Sequence, residues 1–118
     1  VRGQLDGGAV QGIGQALGEQ VVYDRDSGQL LTGSLMDYFA PRADNMACDF
    51  VTEMDQDTPC KNNVLGVKGV GELGTIGATP SIVNAVADAL ARGGRTDLCA
   101  GLQMPLTSAK LWSLINGQ

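Results

Sequence analysis

The segment Gly69-Val70-Gly71-Glu72-Leu73-Gly74 could do chemistry in two different ways. Glu72 is the one charged residue between Lys68 and Asp88, in a stretch that is otherwise apolar, small or neutral. A carboxylate held in such surroundings is expected to be partly desolvated, which raises its pKa and suits it to proton transfer near neutral pH. Flanking glycines would let the backbone approach a substrate or cofactor without side-chain obstruction. On the residues alone, an exposed loop glutamate among turn glycines is the alternative, and it stays open. The same segment also satisfies G-x-G-x-x-G, the pattern that cradles a dinucleotide when it follows a strand and opens directly into a helix. Here residues 63–67 make a poor strand and the next helix is expected only at Thr79. The acidic candidates further on, Asp88 and Asp97, fall in that helix and in a loop. A nucleotide-binding module built on Gly69–Gly74 is therefore the weaker reading.

Gln11-Gly12-Ile13-Gly14 is the second candidate, because a glutamine amide can donate to an oxo group and accept from a hydroxyl. A solvated polar face, or packing against another backbone, is the competing account. Lys68 could orient an anion, or it could be a solvated lysine or one half of a structural salt bridge. Arg42 and Asp44 suggest a local ion pair, and Trp112 with Leu111, Leu114 and Ile115 suggests core packing. Cys60, beside Pro59, suggests an exposed thiol.

Absences narrow the chemistry further. The sequence has no histidine, which removes histidine-based triads and nearly all zinc catalysis. Its three cysteines, Cys48, Cys60 and Cys99, are far apart and include no C-x-x-C, so no zinc ribbon or iron–sulfur cluster is expected from this chain alone. Free thiols suit a reducing cytoplasm. Eight scattered basic residues and a net charge of −5 argue against nucleic acid. No apolar run approaches the roughly 20 residues of a membrane span.

The elements that must position these residues follow from periodicity. Glycine supplies 17 of the 118 residues, concentrated at Gly3–Gly14 and Gly66–Gly77, which suggests backbone brought close to something. Val10, Ile13 and Leu17 follow helical spacing up to Glu19. Each glycine there costs up to about 1 kcal/mol relative to alanine, so the helix must pack closely on a neighbour or a ligand. A β-hairpin is expected over residues 20–32, with Gly28 at positive φ in its turn. A further strand is expected over 48–54, where Cys48, Phe50, Thr52 and Met54 alternate with Asp49, Val51 and Glu53. A helix capped by Thr79, with Pro80 at its first position, buries Ile82, Val83, Val86, Ala87 and Leu90 and ends at Gly93-Gly94. Asp88 and Arg92 stand four apart on its outer face, and a last short helix begins at Thr107. The expected fold is α+β, a small antiparallel sheet of the hairpin and one more strand with about three helices. The opening Val1-Arg2-Gly3-Gln4 reads as an internal start within a longer polypeptide.

Taken in order, the whole chain resembles the end of the molybdopterin-binding large subunit of the xanthine dehydrogenase, aldehyde oxidase and aerobic carbon monoxide dehydrogenase family. The carrying segments are Gly3-Gln4 with Gly7-Gly8, Gln11-Gly12-Ile13-Gly14-Gln15-Ala16-Leu17, Met36-Asp37-Tyr38 and Pro41-Arg42-Ala43-Asp44. They continue with Leu65-Gly66-Val67-Lys68-Gly69-Val70-Gly71-Glu72, Ile76-Gly77-Ala78, Val83-Asn84-Ala85-Val86 and Met104-Pro105-Leu106-Thr107 before Leu111-Trp112. The resemblance implies that residues 1–118 are a single C-terminal piece of a molybdenum-cofactor-binding domain. It implies a molybdenum-dependent hydroxylase that oxidises an aldehyde, an N-heterocycle or a similar small substrate with oxygen from water. Glu72 would be the base beside the metal, and Gln11, Gly12, Lys68, Gly69, Val70 and Gly71 would line the cofactor. It further implies a molybdopterin cofactor in dinucleotide form, and [2Fe–2S] clusters and FAD in other domains or subunits. The rest of the large subunit would be the first partner, and an isolated piece would be inactive and prone to self-association. Leu73-Gly74 departs from the proline-containing forms of several family members, so no one member's substrate transfers. A non-catalytic interaction domain, with the glycine-rich helix packed on a partner, is the remaining alternative.

Overall fold

The computed structural model describes residues 1–46 and 49–118. Three α-helices organise it: α1 (Arg2–Leu17), α2 (Leu73–Arg92) and α3 (Ser108–Asn116). Short 3-10 turns at Ala43–Asn45 and Thr96–Gly101 and long irregular segments join them.

The pairing of α1 with α2 explains the glycine-rich helix. A Cβ built on Gly8 would stand 2.9 Å from the Gly74 Cα, and one on Gly74 would stand 2.6 Å from the Leu5 carbonyl oxygen. One turn further, Gly12 meets Ala78 and the Thr79 amide. Gln4 reaches Gly71 and Gln15 reaches Thr79, so position rises together along both helices and they run parallel. Two small residues a turn apart on each helix let the backbones touch, the geometry of small-xxx-small seams. A second pair, Gly14 and Gly18, admits Pro41 and the Phe39 ring against the other side of α1. At the C-terminal end of α1, the Leu106 amide donates to the Ala16 carbonyl at 2.6 Å, and these two are the buried hydrophobic side chains among the described residues. The expectation of close packing for this helix holds, and the neighbour is α2.

α2 begins earlier than Thr79. Six residues, Leu73–Ala78, precede Thr79 in the helix, and Pro80 lies inside it. The Pro80 ring removes one backbone bond, yet carrying the helix forward places Gly74 and Ala78 on α1. Packing outweighs the local stop signal here. Thr79 does not cap: its hydroxyl donates to Gln15 Oε1 at 3.1 Å and lies 3.5 Å from the Gly12 carbonyl oxygen. The other end agrees with the sequence, since Gly93 closes α2 and Gly94 takes φ 75°. Ile82, Val83, Val86, Ala87 and Leu90 are half-buried, and Arg92 pairs with Asp88 at 2.7 Å on the outer face. Thr107 caps α3, accepting from the Lys110 amide at 3.3 Å.

The expected antiparallel sheet is absent among the described residues. The hairpin shrinks to one antiparallel bridge between Tyr23 and Leu30, with the Leu31 amide donating to Val22 and the Asp24 amide to Gln29. Its turn is as expected, with Gly28 at φ 71°. The Ser27 hydroxyl and amide, and the Asp26 amide, donate to Asp24 and hold its carboxyl below the ordinary carboxylate range. Cys48, the first residue of the expected third strand, lies outside the described residues. Residues 49–54 are coil without a partner strand: Phe50 and Thr52 are half-buried, Val51 is exposed, and the Thr52 hydroxyl donates to Asp6 of α1. Alternation here records a chain lying on a helix, with one side covered, and no ladder forms.

Two packing expectations also change. Arg42 and Asp44 form no ion pair; instead the Arg42 amide donates to Asn45 Oδ1 at 3.0 Å. Trp112 is 56% exposed, so it is no core residue of this chain.

Candidate active site

The parallel pairing lays the glycine-rich segment of α1 along the one that leads into α2. Glu72 is the residue immediately before the first turn of α2, with φ −96° and ψ −9°, and its carbonyl accepts from Thr75 and Ile76. Its side chain is exposed and makes no hydrogen bond or ion pair among the described residues. The desolvation expected for Glu72 is therefore not supplied by this chain. The carboxylate is presented outward.

The backbone before it is open. A Cβ on Gly69 or on Gly71 would meet nothing within 4 Å. The amides of Gly69, Val70, Gly71 and Glu72 find no acceptor among the described residues. Only the Glu72 amide belongs to the N-terminal end of α2, where the helix favours negative charge; those of Gly69, Val70 and Gly71 are coil donors leading into it. Lys68 adds an exposed ammonium beside them, outside the three ion pairs found among the described residues. Asn63 shapes the approach to this run, its side chain bonding both the amide and the carbonyl of Val67.

Gln11 stands on α1, exposed, with no side-chain hydrogen bond among the described residues. Gly12, the next residue, is buried on α2, so its open face is already taken by Ala78 and Thr79. The structure thus brings Glu72, Gly71 and the start of α1 together. It leaves Gln11 further along the same helix and turns Gly12 into the helix contact. Sequence reasoning assigned no role to Gln4, whose Nε2 donates to the Gly71 carbonyl at 2.8 Å. A signal existed: Gln4, Gln11 and Gln15 are spaced seven and four apart, which places all three along one edge of the glycine seam.

The nucleotide-binding reading gains a helix that opens at Leu73 but finds no strand, since residues 61–65 are turns and 66–70 open coil. Its third glycine, Gly74, is spent on α1. No group of three or more His, Cys, Asp or Glu able to hold a metal ion occurs among the described residues. Nor is any of their helices long and apolar enough to cross a membrane. The Tyr38 phenol, pushed up by burial and then by the Glu19 carboxylate that accepts its hydrogen bond, belongs to the Gly14–Gly18 side of α1 and not to this site.

Comparisons with known proteins bear on this arrangement. Residues 1–47 match the molybdopterin cofactor-binding domain model. Over 119 aligned positions the chain is 44% identical to the 6-hydroxypseudooxynicotine dehydrogenase complex subunit gamma of Paenarthrobacter nicotinovorans, covering 98% of this chain and 14% of that subunit. It is 38% identical to the carbon monoxide dehydrogenase large chain of Hydrogenophaga pseudoflava, over 95% of this chain and 13% of the relative. Among solved structures, quinoline 2-oxidoreductase from Pseudomonas putida 86 superposes with a TM-score of 0.80 at 35% identity, over 99% of this chain and 14% of that one. The Cu,Mo-CO dehydrogenase superposes with a TM-score of 0.78 at 34% identity, over 98% and 14%.

Proposed function

Because this chain belongs to the family of molybdopterin-binding large subunits, we propose that it forms one wall of a molybdenum-hydroxylase active site, with Glu72 as base. The chain spans 14% of the subunit gamma it matches, so the activity proposed is that of a larger assembly. The observation that carries the reading is the outward carboxylate of Glu72 beside four unengaged backbone amides on an open glycine run.

These residues fit a bulky phosphate-bearing pterin better than a bare metal ion. The chain has no ligand cluster among its described residues, but it has backbone donors, an exposed amide at Gln11 and an ammonium at Lys68. When bound, the molybdenum cofactor supplies the acceptor for two electrons from an electron-poor carbon. Gly69, Val70 and Gly71 would line it closely, Gln11 would offer its amide, and Lys68 would balance negative charge. Gly12 would contribute indirectly, by seating α1 on α2. Glu72 Oε1 or Oε2 would take the proton from the water-derived oxygen that attacks the substrate carbon. Placing the rest of the assembly against this end would exclude water from Glu72, which is the desolvation that the chain alone does not provide.

The substrate class proposed is an aldehyde, an N-heterocycle or a similar small molecule. The cofactor would be a dinucleotide form, with [2Fe–2S] and FAD carriers in neighbouring domains or subunits as partners. Cys60 and Cys99, half-buried and unpaired, fit a cytoplasmic site of action. Steady-state turnover of Glu72→Gln in the intact enzyme, expressed per bound molybdenum, tests the reading. Loss of a proton acceptor at this position is expected to lower kcat at least 10²-fold, by the usual size of general-base effects. Turnover close to wild type would remove Glu72 from the role.

A further inference from the structure

We propose that Gln4 is a positioning residue that fixes the orientation of Glu72 by anchoring the peptide plane in front of it. This inference rests on Glu72 being the base.

Apart from one long turn bond, from the Leu73 amide to the Val70 carbonyl at 3.3 Å, the run from Gly69 to Gly71 has no backbone hydrogen bond among the described residues to hold it. Gly69 and Gly71 have open space where a side chain would be, and both are exposed. Glycine samples more backbone conformations than any other residue, so an unsupported Gly71 would let the next residue swing. Across 67 positions of sequence, Gln4 Nε2 donates to the Gly71 carbonyl oxygen at 2.8 Å. That carbonyl shares a rigid plane with the amide nitrogen and Cα of Glu72. Fixing its oxygen therefore fixes the direction from which the Glu72 side chain leaves the backbone.

The anchor itself has a firm base. Gln4 is in the first turn of α1, and one turn later Gly8 lies against Gly74, with the Leu5 carbonyl against the same glycine. Gln4 and Gly74 thus grip the two sides of Glu72, one through a hydrogen bond and one through backbone contact. Truncating the amide would leave the helix pair intact and release the plane between them. Misplacement of a reacting group by about 1 Å can cost on the order of 10²-fold in rate.

The test uses Gln4→Met, which keeps length but not the donor, in the intact molybdenum-loaded enzyme, alone and combined with Glu72→Gln. The expected result is a fall in kcat of about tenfold or more with KM, bound molybdenum and Tm unchanged. Amide hydrogen exchange over residues 69–73 is expected to speed up. In the Glu72→Gln background the Gln4 substitution is expected to cause no further fall, because both act through one group. A wild-type kcat for Gln4→Met while Glu72→Gln is inactive would overturn the positioning role and leave the base assignment standing. Equal losses on both backgrounds, or loss explained by missing molybdenum, would overturn it as well. Turnover retained by Glu72→Gln itself would sink the base assignment and the inference with it.

Discussion

At the scale of single residues, the chemistry of the site comes from presentation. Glu72 and Gln11 are both exposed and unpartnered within the described chain, which is costly nowhere and useful only if something else covers them. The sequence pointed to Glu72 as the candidate base through the absence of histidine and its isolation among small residues, while an exposed loop glutamate fitted the same residues and only the family resemblance favoured the base. Its exposure was one of the two outcomes that the sequence left open, since burial depends on which segments fold over it. For the Gln4 to Gly71 bond, glutamine spacing placed Gln4 on the edge of the glycine seam, but no local pattern marks Gly71, 67 positions away, as its partner. Gln11→Leu is expected to lower turnover per molybdenum by about 10²–10³-fold, the range seen when one preorganised amide donor is removed from a reacting centre. Unchanged turnover in that variant would mean that Gln11 does not touch the cofactor.

Among the elements, α1 and α2 set the geometry, and glycine is what lets them. Intrinsic propensity and packing make opposite predictions for Gly8→Ala. Propensity alone predicts a gain of up to about 1 kcal/mol. The new Cβ, however, would stand 2.9 Å from both the Gly74 Cα and the Thr75 amide nitrogen, where neither backbone can yield cheaply. A net loss of about 1–3 kcal/mol is expected, read as a lower Tm of the intact subunit. A raised Tm would contradict the seam. α1 was readable from periodicity, which ran two residues past its end at Leu17, and the start of α3 from the Thr107 cap. The start of α2 was misread because Thr79-Pro80 is a strong local start signal, overridden by Gly74 and Ala78 packing on α1. The sheet was misread for a related reason. Alternating residues need one covered side, and at Thr52 that side meets Asp6 of α1 where a partner strand was expected.

Considered as a whole molecule, the chain does not enclose a core of its own. Its radius of gyration is 18.1 Å, against roughly 13–14 Å for a compact domain of this length. Its accessible surface is 8860 Å², against roughly 6,100 Å² for a folded monomer of this mass. Met36, Val51, Val64, Leu65 and Ile76 are each at least 70% exposed, so the excess is rich in large apolar groups. On the function proposed, the rest of a large subunit would cover it, since the chain spans 14% of the relative it matches at 44% identity. Produced by itself, the chain is expected to bind a hydrophobic dye, to self-associate on gel filtration and to lack a sharp thermal transition. A monomeric chain with a cooperative transition would contradict that account.

The central claim concerns one proton acceptor, and the reductive half-reaction isolates it from later electron transfer. Intact Glu72→Gln enzyme with a full molybdenum complement, mixed rapidly with a substrate that the wild type oxidises, should reduce its cofactor at least 10²-fold more slowly than wild type. Reduction at a rate within a few-fold of wild type, with the metal fully loaded, would contradict the account.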